Sequence, residues 1–157
     1  MAVRSVPEGY STVTPYLIVT GAAKAIDFYQ EVFGATEIMR FPQPDGTIGH
    51  AEIRIGTSIV MLADEAPQMG YRSPQSLGGS GTGLMLYVDD VDTVFKRAIA
   101  AGATAHQEVK DQFYGDRSGS LIDPFGHVWT VSTHVEDVEP AEMQRRMEAA
   151  ASSHATG

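Results

Sequence analysis

The most constraining feature of this chain is a pattern that it states twice. Lys24 to Gly34 places apolar residues at Ala25, Ile26, Tyr29, Val32 and Phe33, close to the i, i+3, i+4, i+7 spacing of a helix with one buried face. Gly34 follows the last periodic residue, where a left-handed C′ position favours glycine. A second helical pattern runs through Val91, Val94, Phe95, Ala98 and Ile99, with Asp89 or Asp90 as its N-cap, and ends in Gly102-Ala103-Thr104 just as the first ends in Gly34-Ala35-Thr36. A strand-like run precedes each helix. From Val19 to Gly34 is 15 residues and from Val88 to Gly102 is 14, so the chain reads as a repeat with one residue of slippage.

Each repeat continues in strands. Thr12–Val19 is rich in β-branched and aromatic residues, with Pro15 forcing an edge position or a late start. Thr36–Phe41, then Gly49–Ile55 with strict polar/apolar alternation, then Ile59–Ala63 complete the first unit, with an Asp45-Gly46 hairpin signal between the first two. In the second, Leu84–Val88 precedes the helix, and Ala105–Val109, Gly119–Ile122 and His127–His134 follow it. Asp123-Pro124-Phe125-Gly126 suits a type I turn. The stretch between, Asp64–Gly83, is a linker by its glycine, proline and serine content. Met1–Ser11 reads as a loose arm, and Glu139–Met147 as a short helix with Pro140 in its first turn and a fraying Ala/Ser-rich tail.

Bulk composition narrows the function classes. With 43% hydrophobic and 20% charged residues in 157, one packed domain, or two small modules sharing a core, is expected. The absence of cysteine excludes disulfides, thiolate metal sites and a cysteine nucleophile. A net charge of −9 argues against nucleic acid as a partner, and no apolar run reaches membrane-spanning length. The expected address is cytoplasmic, with no membrane partner.

Two strand–helix–strand–strand–strand modules carrying "AIDFYQEVFGA" and "LIDPFGHVWTV" resemble the glyoxalase/bleomycin-resistance/dioxygenase family, the vicinal oxygen chelate fold. The chain looks closest to a branch of small bacterial glyoxalase-like proteins that also carry "DQFYGDR". The resemblance covers roughly Thr12 to His134. It implies an α+β fold of two βαβββ modules, 12–66 and 83–135, within a single domain over 1–135, followed by a short helix and tail over 136–157. It also implies a cleft between the modules, within one chain or between two chains of a homodimer. Aligned on the module motifs, the metal-ligand positions of metal-dependent members fall on Thr14, Met61 (or Val60 in a slipped register), Gly83 and Thr130. None is a histidine or carboxylate, so no metal and no cofactor is expected.

Strand parity says which side chains such a cleft receives. With Tyr16 and Ile18 on that side, Val13, Leu17 and Val19 back onto the helix. Ala51, Ile53 and Ile55 do the same, which leaves His50, Glu52 and Arg54 on the cleft side. Met85 and Tyr87, Ser120 and Ile122, Val128 and Thr130 take the matching places in the second module. His50 and Glu52 are read as a solvated strand face, as binding residues able to act as a general acid–base pair, or as a transplanted metal site. Tyr16, Arg54, Met61, Met85, Tyr87 and Thr130, with Phe113 and Tyr114 from the aromatic loop Lys110–Arg117, are the expected substrate-binding residues. In that loop, Asp116–Arg117 pinning the turn and Phe113 plugging the end is the structural alternative. His127 is expected to be a structural hydrogen-bond partner, His106 and His134 surface residues, and Trp129 core. The function expected is small-molecule binding without the family's metal; the alternative is a lyase, isomerase or dioxygenase built around His50 and Glu52.

Overall fold

The periodic apolar faces become two four-stranded sheets, each carrying one helix. The computed structural model describes residues 3–154. The ends of the expected arm and tail, at 1–2 and 155–157, lie outside the described residues, as do the side chains of Ser153 and His154. The chain divides into two units. The first takes residues up to Thr82 together with Asp123–His127, and the second takes Gly83–Ile122 and the chain from Val128 onward.

In the first unit β1 (Tyr16–Val19), α1 (Ala22–Phe33), β2 (Thr36–Pro42), β3 (Ile48–Ile55) and β4 (Ser58–Asp64) build a sheet of order β1-β4-β3-β2, with β1 parallel to β4 and the other pairs antiparallel. The expected strand over Thr12–Val19 begins only at Tyr16. Pro15 has no N–H to give the ladder, but its carbonyl accepts the Met61 amide at 2.9 Å. Leu17, Val19, Ala51, Ile53 and Leu62 are buried, as are Ala25, Ile26, Tyr29 and Val32 of α1. Each fully buried Leu, Ile or Val among them contributes about 1.5–3 kcal/mol of transfer free energy, the alanines less. Gly34 holds φ 66° and its N–H closes α1 on the Tyr29 carbonyl.

The stretch expected to be a linker is structured. It forms a 3-10 turn at Pro67–Met69 and a short helix α2 (Pro74–Leu77). Ser73 is fully buried and caps α2, while the Glu65 carboxylate accepts from Ser73 N at 2.9 Å and Ser76 Oγ at 2.9 Å. Its serine and proline act as cap and first-turn residues rather than as flexible filler.

The second unit repeats the topology. β5 (Gly83–Tyr87), α3 (Val91–Ala100), β6 (Thr104–Asp111), β7 (Asp116–Ile122) and β8 (Val128–His134) give the order β5-β8-β7-β6, with β5 parallel to β8. Asp90 is the residue that caps α3, accepting from Thr93 N at 3.1 Å. Trp129 and Val131 are buried, as expected for the helix-facing side. The expected loop Lys110–Arg117 shrinks to a hairpin turn, because β6 runs to Asp111 and β7 starts at Asp116. Gly115 makes this turn possible: its φ is 98°, and a Cβ there would fall 2.0 Å from the Glu136 carbonyl oxygen. The last helix, α4 (Pro140–His154), runs further than Met147. Alanine has the best helix propensity, and Arg145 and Arg146 bond back to Glu142.

Candidate functional site

On the first unit's sheet, α1 covers one face and the polar residues of β3 emerge on the other. Met61 sits opposite Tyr16 in β1 and opposite Glu52 in β3, so Tyr16, Met61 and Glu52 form one row across three strands. His50 is the next residue on that face. Its Nε2 lies 3.0 Å from Glu52 Oε1 and its Nδ1 lies 2.7 Å from the Tyr16 hydroxyl. The other Glu52 oxygen accepts from the Tyr10 hydroxyl. The result is one hydrogen-bonded chain, Tyr10–Glu52–His50–Tyr16.

With His50 neutral, chemistry gives that chain one direction. Glu52 is only 5% exposed. Burial acts to raise its pKa, but the bonds from Tyr10 and His50 outweigh burial and hold it below the usual carboxylate value. An ionised carboxylate only accepts, so Nε2 is the donor, and in the neutral imidazole Nδ1 accepts the Tyr16 proton. Tyr16 is pushed above the ordinary phenol value, first by burial and then by Tyr71 and Glu52. It therefore keeps its proton and directs it at His50, leaving the oxygen's lone pairs for another donor.

Tyr16 also lines a cavity of about 310 Å³ within the same unit. Ile18, Ala63, Ala66 and Met69 make it apolar, Tyr71 adds a second ring, and Gln43 and Asp64 supply the polar groups. Asp64 Oδ1 accepts from Gly21 N at 2.7 Å and Ala22 N at 3.0 Å, and Oδ2 accepts from Ile48 N at 2.8 Å. Three of the roughly four acceptor positions on a carboxylate are thus used by backbone.

The second unit carries a separate polar cluster. Asp116, 3% exposed, accepts from Tyr87 Oη at 3.0 Å and Ser132 Oγ at 3.3 Å, and lies 2.7 Å from His134 Nδ1. His134 Nε2 reaches Asp137 at 2.9 Å. Two expectations change here. Asp116 and Arg117 do not pair with each other, since alternation along β7 sends them to opposite faces and Arg117 bonds Asp92 at 2.7 Å and Asp111 at 3.1 Å. His134 is exposed, as expected, but it is held between two carboxylates.

Burial acts to raise the Asp116 pKa, yet the bonds from His134, Tyr87 and Ser132 bring it below the ordinary value. Asp137 and then Asp116 raise that of His134. A depressed carboxylate contributes stability above about pH 4 and loses it as pH falls through its folded value; a raised histidine contributes fully below about pH 6.5 and loses it as pH rises through its folded value. Thermal melts across that range are expected to show the pair at full strength between about pH 4 and 6.5 and a decline on the alkaline side. His134→Gln should remove the alkaline decline; an unchanged slope would refute the role of the pair.

The other expected residues fall as follows. Arg54 is on the first unit's free face beside Gly9, whose added Cβ would meet its Nη2 at 3.5 Å. Met85, opposite Thr130 in the ladder, and Tyr87, opposite Ser132, lie in the second unit, 51% and 59% exposed for the Met and the Tyr. Phe113 and Tyr114 stand edge to face, 5.2 Å between centroids, at the β6–β7 turn. His127 Nε2 meets the Ile18 carbonyl at 2.9 Å, the structural role expected. Tyr10, Asp64, Met69 and Tyr71 were not anticipated. Asp64 had a signal: α1 begins after Gly21 with no capping side chain, which calls for an acceptor from elsewhere.

The family model described as Glyoxalase/Bleomycin resistance protein/Dioxygenase superfamily matches residues 11–131. The chain belongs to this superfamily. An uncharacterized protein of Mycobacterium tuberculosis, Rv0887c, is 47% identical over 138 residues, spanning 86% of this chain and 81% of that protein. Among solved structures, TioX from Micromonospora sp. ML1 is 33% identical with a TM-score of 0.62, covering 80% of this chain and 99% of TioX. The fosfomycin resistance protein FosX from Listeria monocytogenes, solved with Mn(II) and sulfate, is 18% identical with a TM-score of 0.61 over 87% of this chain and 97% of FosX, a likeness of fold.

The superfamily's metal can be tested against the donors present at its ligand positions. Thr14 lies ahead of β1 and donates to the Ser11 carbonyl at 3.4 Å. Met61 offers a thioether, Gly83 no side chain and Thr130 a neutral hydroxyl. A divalent cation wants imidazole or carboxylate donors, and this set does not fit it. Among the described residues no three His, Cys, Asp or Glu side chains gather into a candidate metal group, and no helix is long and apolar enough to cross a membrane.

Proposed function

We propose that this chain binds a small organic molecule in the cavity of its first unit, without the superfamily's metal. The observation that carries the reading is the hydrogen-bonded chain ending at Tyr16, which turns a phenol oxygen into an acceptor on the wall of an apolar, aromatic cavity. Such a site favours a ligand with an apolar or aromatic body and an N–H or O–H donor. The net charge of −9 suits a cationic one. A homodimer in the cytoplasm is part of the same proposal; exposed Phe41 and Met39 on the first sheet's free face support the dimer.

Calorimetric titration with cationic and aromatic antibiotics, bleomycin included, tests it. Saturable heat is expected with at least one, weakened about tenfold by Tyr16→Phe, the worth of one hydrogen bond. Light scattering on the same samples is expected to read a dimer rather than 16.9 kDa. Silence across the panel, with turnover of some substrate, would favour a second reading: a lyase or isomerase in which Glu52 and His50 move a proton through Tyr16. The continuity of that hydrogen-bonded chain is what speaks for it. The expected dioxygenase alternative has no comparable support in the donor set.

A further inference from the structure

Residues 3–15 form no helix or strand, yet one side chain of this arm is anchored in the first sheet. Tyr10 N bonds the Pro7 carbonyl at 3.2 Å, a turn that sets Gly9 against Arg54. The phenol then reaches down to Glu52. Among the described residues this is the one side-chain hydrogen bond from the arm to the sheet.

Glu52 is an uncommon acceptor. It lies mid-strand, 5% exposed, with its second oxygen occupied by His50. A buried carboxylate is costly unless donors saturate it. The acceptor therefore belongs to the rigid sheet, while its second donor is supplied by a segment without regular structure.

We propose that the place of the Tyr10 ring is itself a binding site, for a ligand carrying a phenolic hydroxyl, and that Tyr10 is its built-in occupant. The chemical class follows from what already fits there: a six-membered aromatic ring with one neutral hydroxyl donor aimed at Glu52. Tyr10 keeps its proton, since the bond to Glu52 and then burial raise its pKa. A ligand that replaces it joins the same chain of bonds that ends at Tyr16. The inference rests on the small-molecule reading of this sheet face and adds the ligand class and the competing residue.

The test uses full-length Tyr10→Ala and p-cresol, which is the tyrosine side chain without its backbone. Titration followed by amide NMR is expected to give saturating shifts at His50 and Glu52. Affinity should exceed that of the natural chain by about tenfold or more, because only the fraction with Tyr10 displaced is competent there. Toluene, with the shape but no donor, should give none of these shifts, and adding Glu52→Ala should abolish them. Equal affinity of the natural and Tyr10→Ala chains, or no shift at Glu52 in a folded variant, would overturn the proposal. If Tyr10→Ala does not fold, Tyr10→Phe removes only the donor and is held to the same comparison. Should the antibiotic panel shift Ile18, Ala63 and Tyr71 while p-cresol stays silent, the cavity reading stands and this inference falls. Silence of both probes removes both.

Discussion

Replacing Asp123 by alanine is expected to destabilise the first unit by about 4 kcal/mol, lowering its melting temperature by roughly 10 °C. Asp123 is 3% exposed, and three donors converge on it: Tyr29 Oη at 2.6 Å, Phe125 N at 2.9 Å and His127 N at 3.0 Å. Tyr29 is fully buried in α1. The variant leaves a phenol and two amides without an acceptor in a place where water does not reach. Burial of unsatisfied donors costs more than the bonds themselves contribute. Tyr29→Phe removes only one donor and should cost about 2 kcal/mol. The double variant should cost less than the sum of the two, because the residues share a bond. Additive losses, or a melting temperature of Asp123→Ala within about 2 °C of the natural chain, would show that the turn is not what holds α1.

The second large effect is expected at Asp64. Gly21 begins α1 without a capping side chain, and the Asp64 carboxylate serves two of the first amides instead. A carboxylate at that end also meets the positive pole of the helix. Its other oxygen holds Ile48 N, whose residue is 3% exposed. Loss of a cap costs about 1–2 kcal/mol and an orphaned buried amide about as much again, so Asp64→Ala should lose about 3 kcal/mol. Asn keeps one acceptor oxygen and should fall between. The same carboxylate lines the cavity, so antibiotic affinity should drop alongside stability. Thermal melts and calorimetry on the two variants check both; unchanged melts for Asp64→Ala would refute the capping role.

What could be read from the sequence was local and periodic. Helix spacing placed α1 and α3, and parity placed His50 and Glu52 on the face opposite Ala51 and Ile53. Tyr10 was out of reach. It sits 42 residues from Glu52 in a segment with no period, and nothing nearby marks it as a partner. The stretch 64–83 holds short helical turns that its composition does not reveal, for a related reason. Serine, proline and glycine serve loops and helix caps alike, and only the buried Ser73 and its Glu65 partner tell the two uses apart. His134 looked solitary because its partner Asp116 is set by strand pairing, and Asp137 lies three residues on, past the end of the strand.

The membership of Asp123–His127 in the first unit bears on how this chain is made. A nascent chain that has reached Thr82 already holds every strand and helix of that unit, but not the carboxylate that Tyr29 needs. The Ile18 carbonyl likewise waits for His127. During synthesis the first half must stay unfinished until the strand β7 and the turn after it have emerged. Contacts this distant in sequence slow folding and lengthen the exposure of apolar faces. The two halves look alike and are written one after the other, yet the ribosome must deliver most of the second before the first can close.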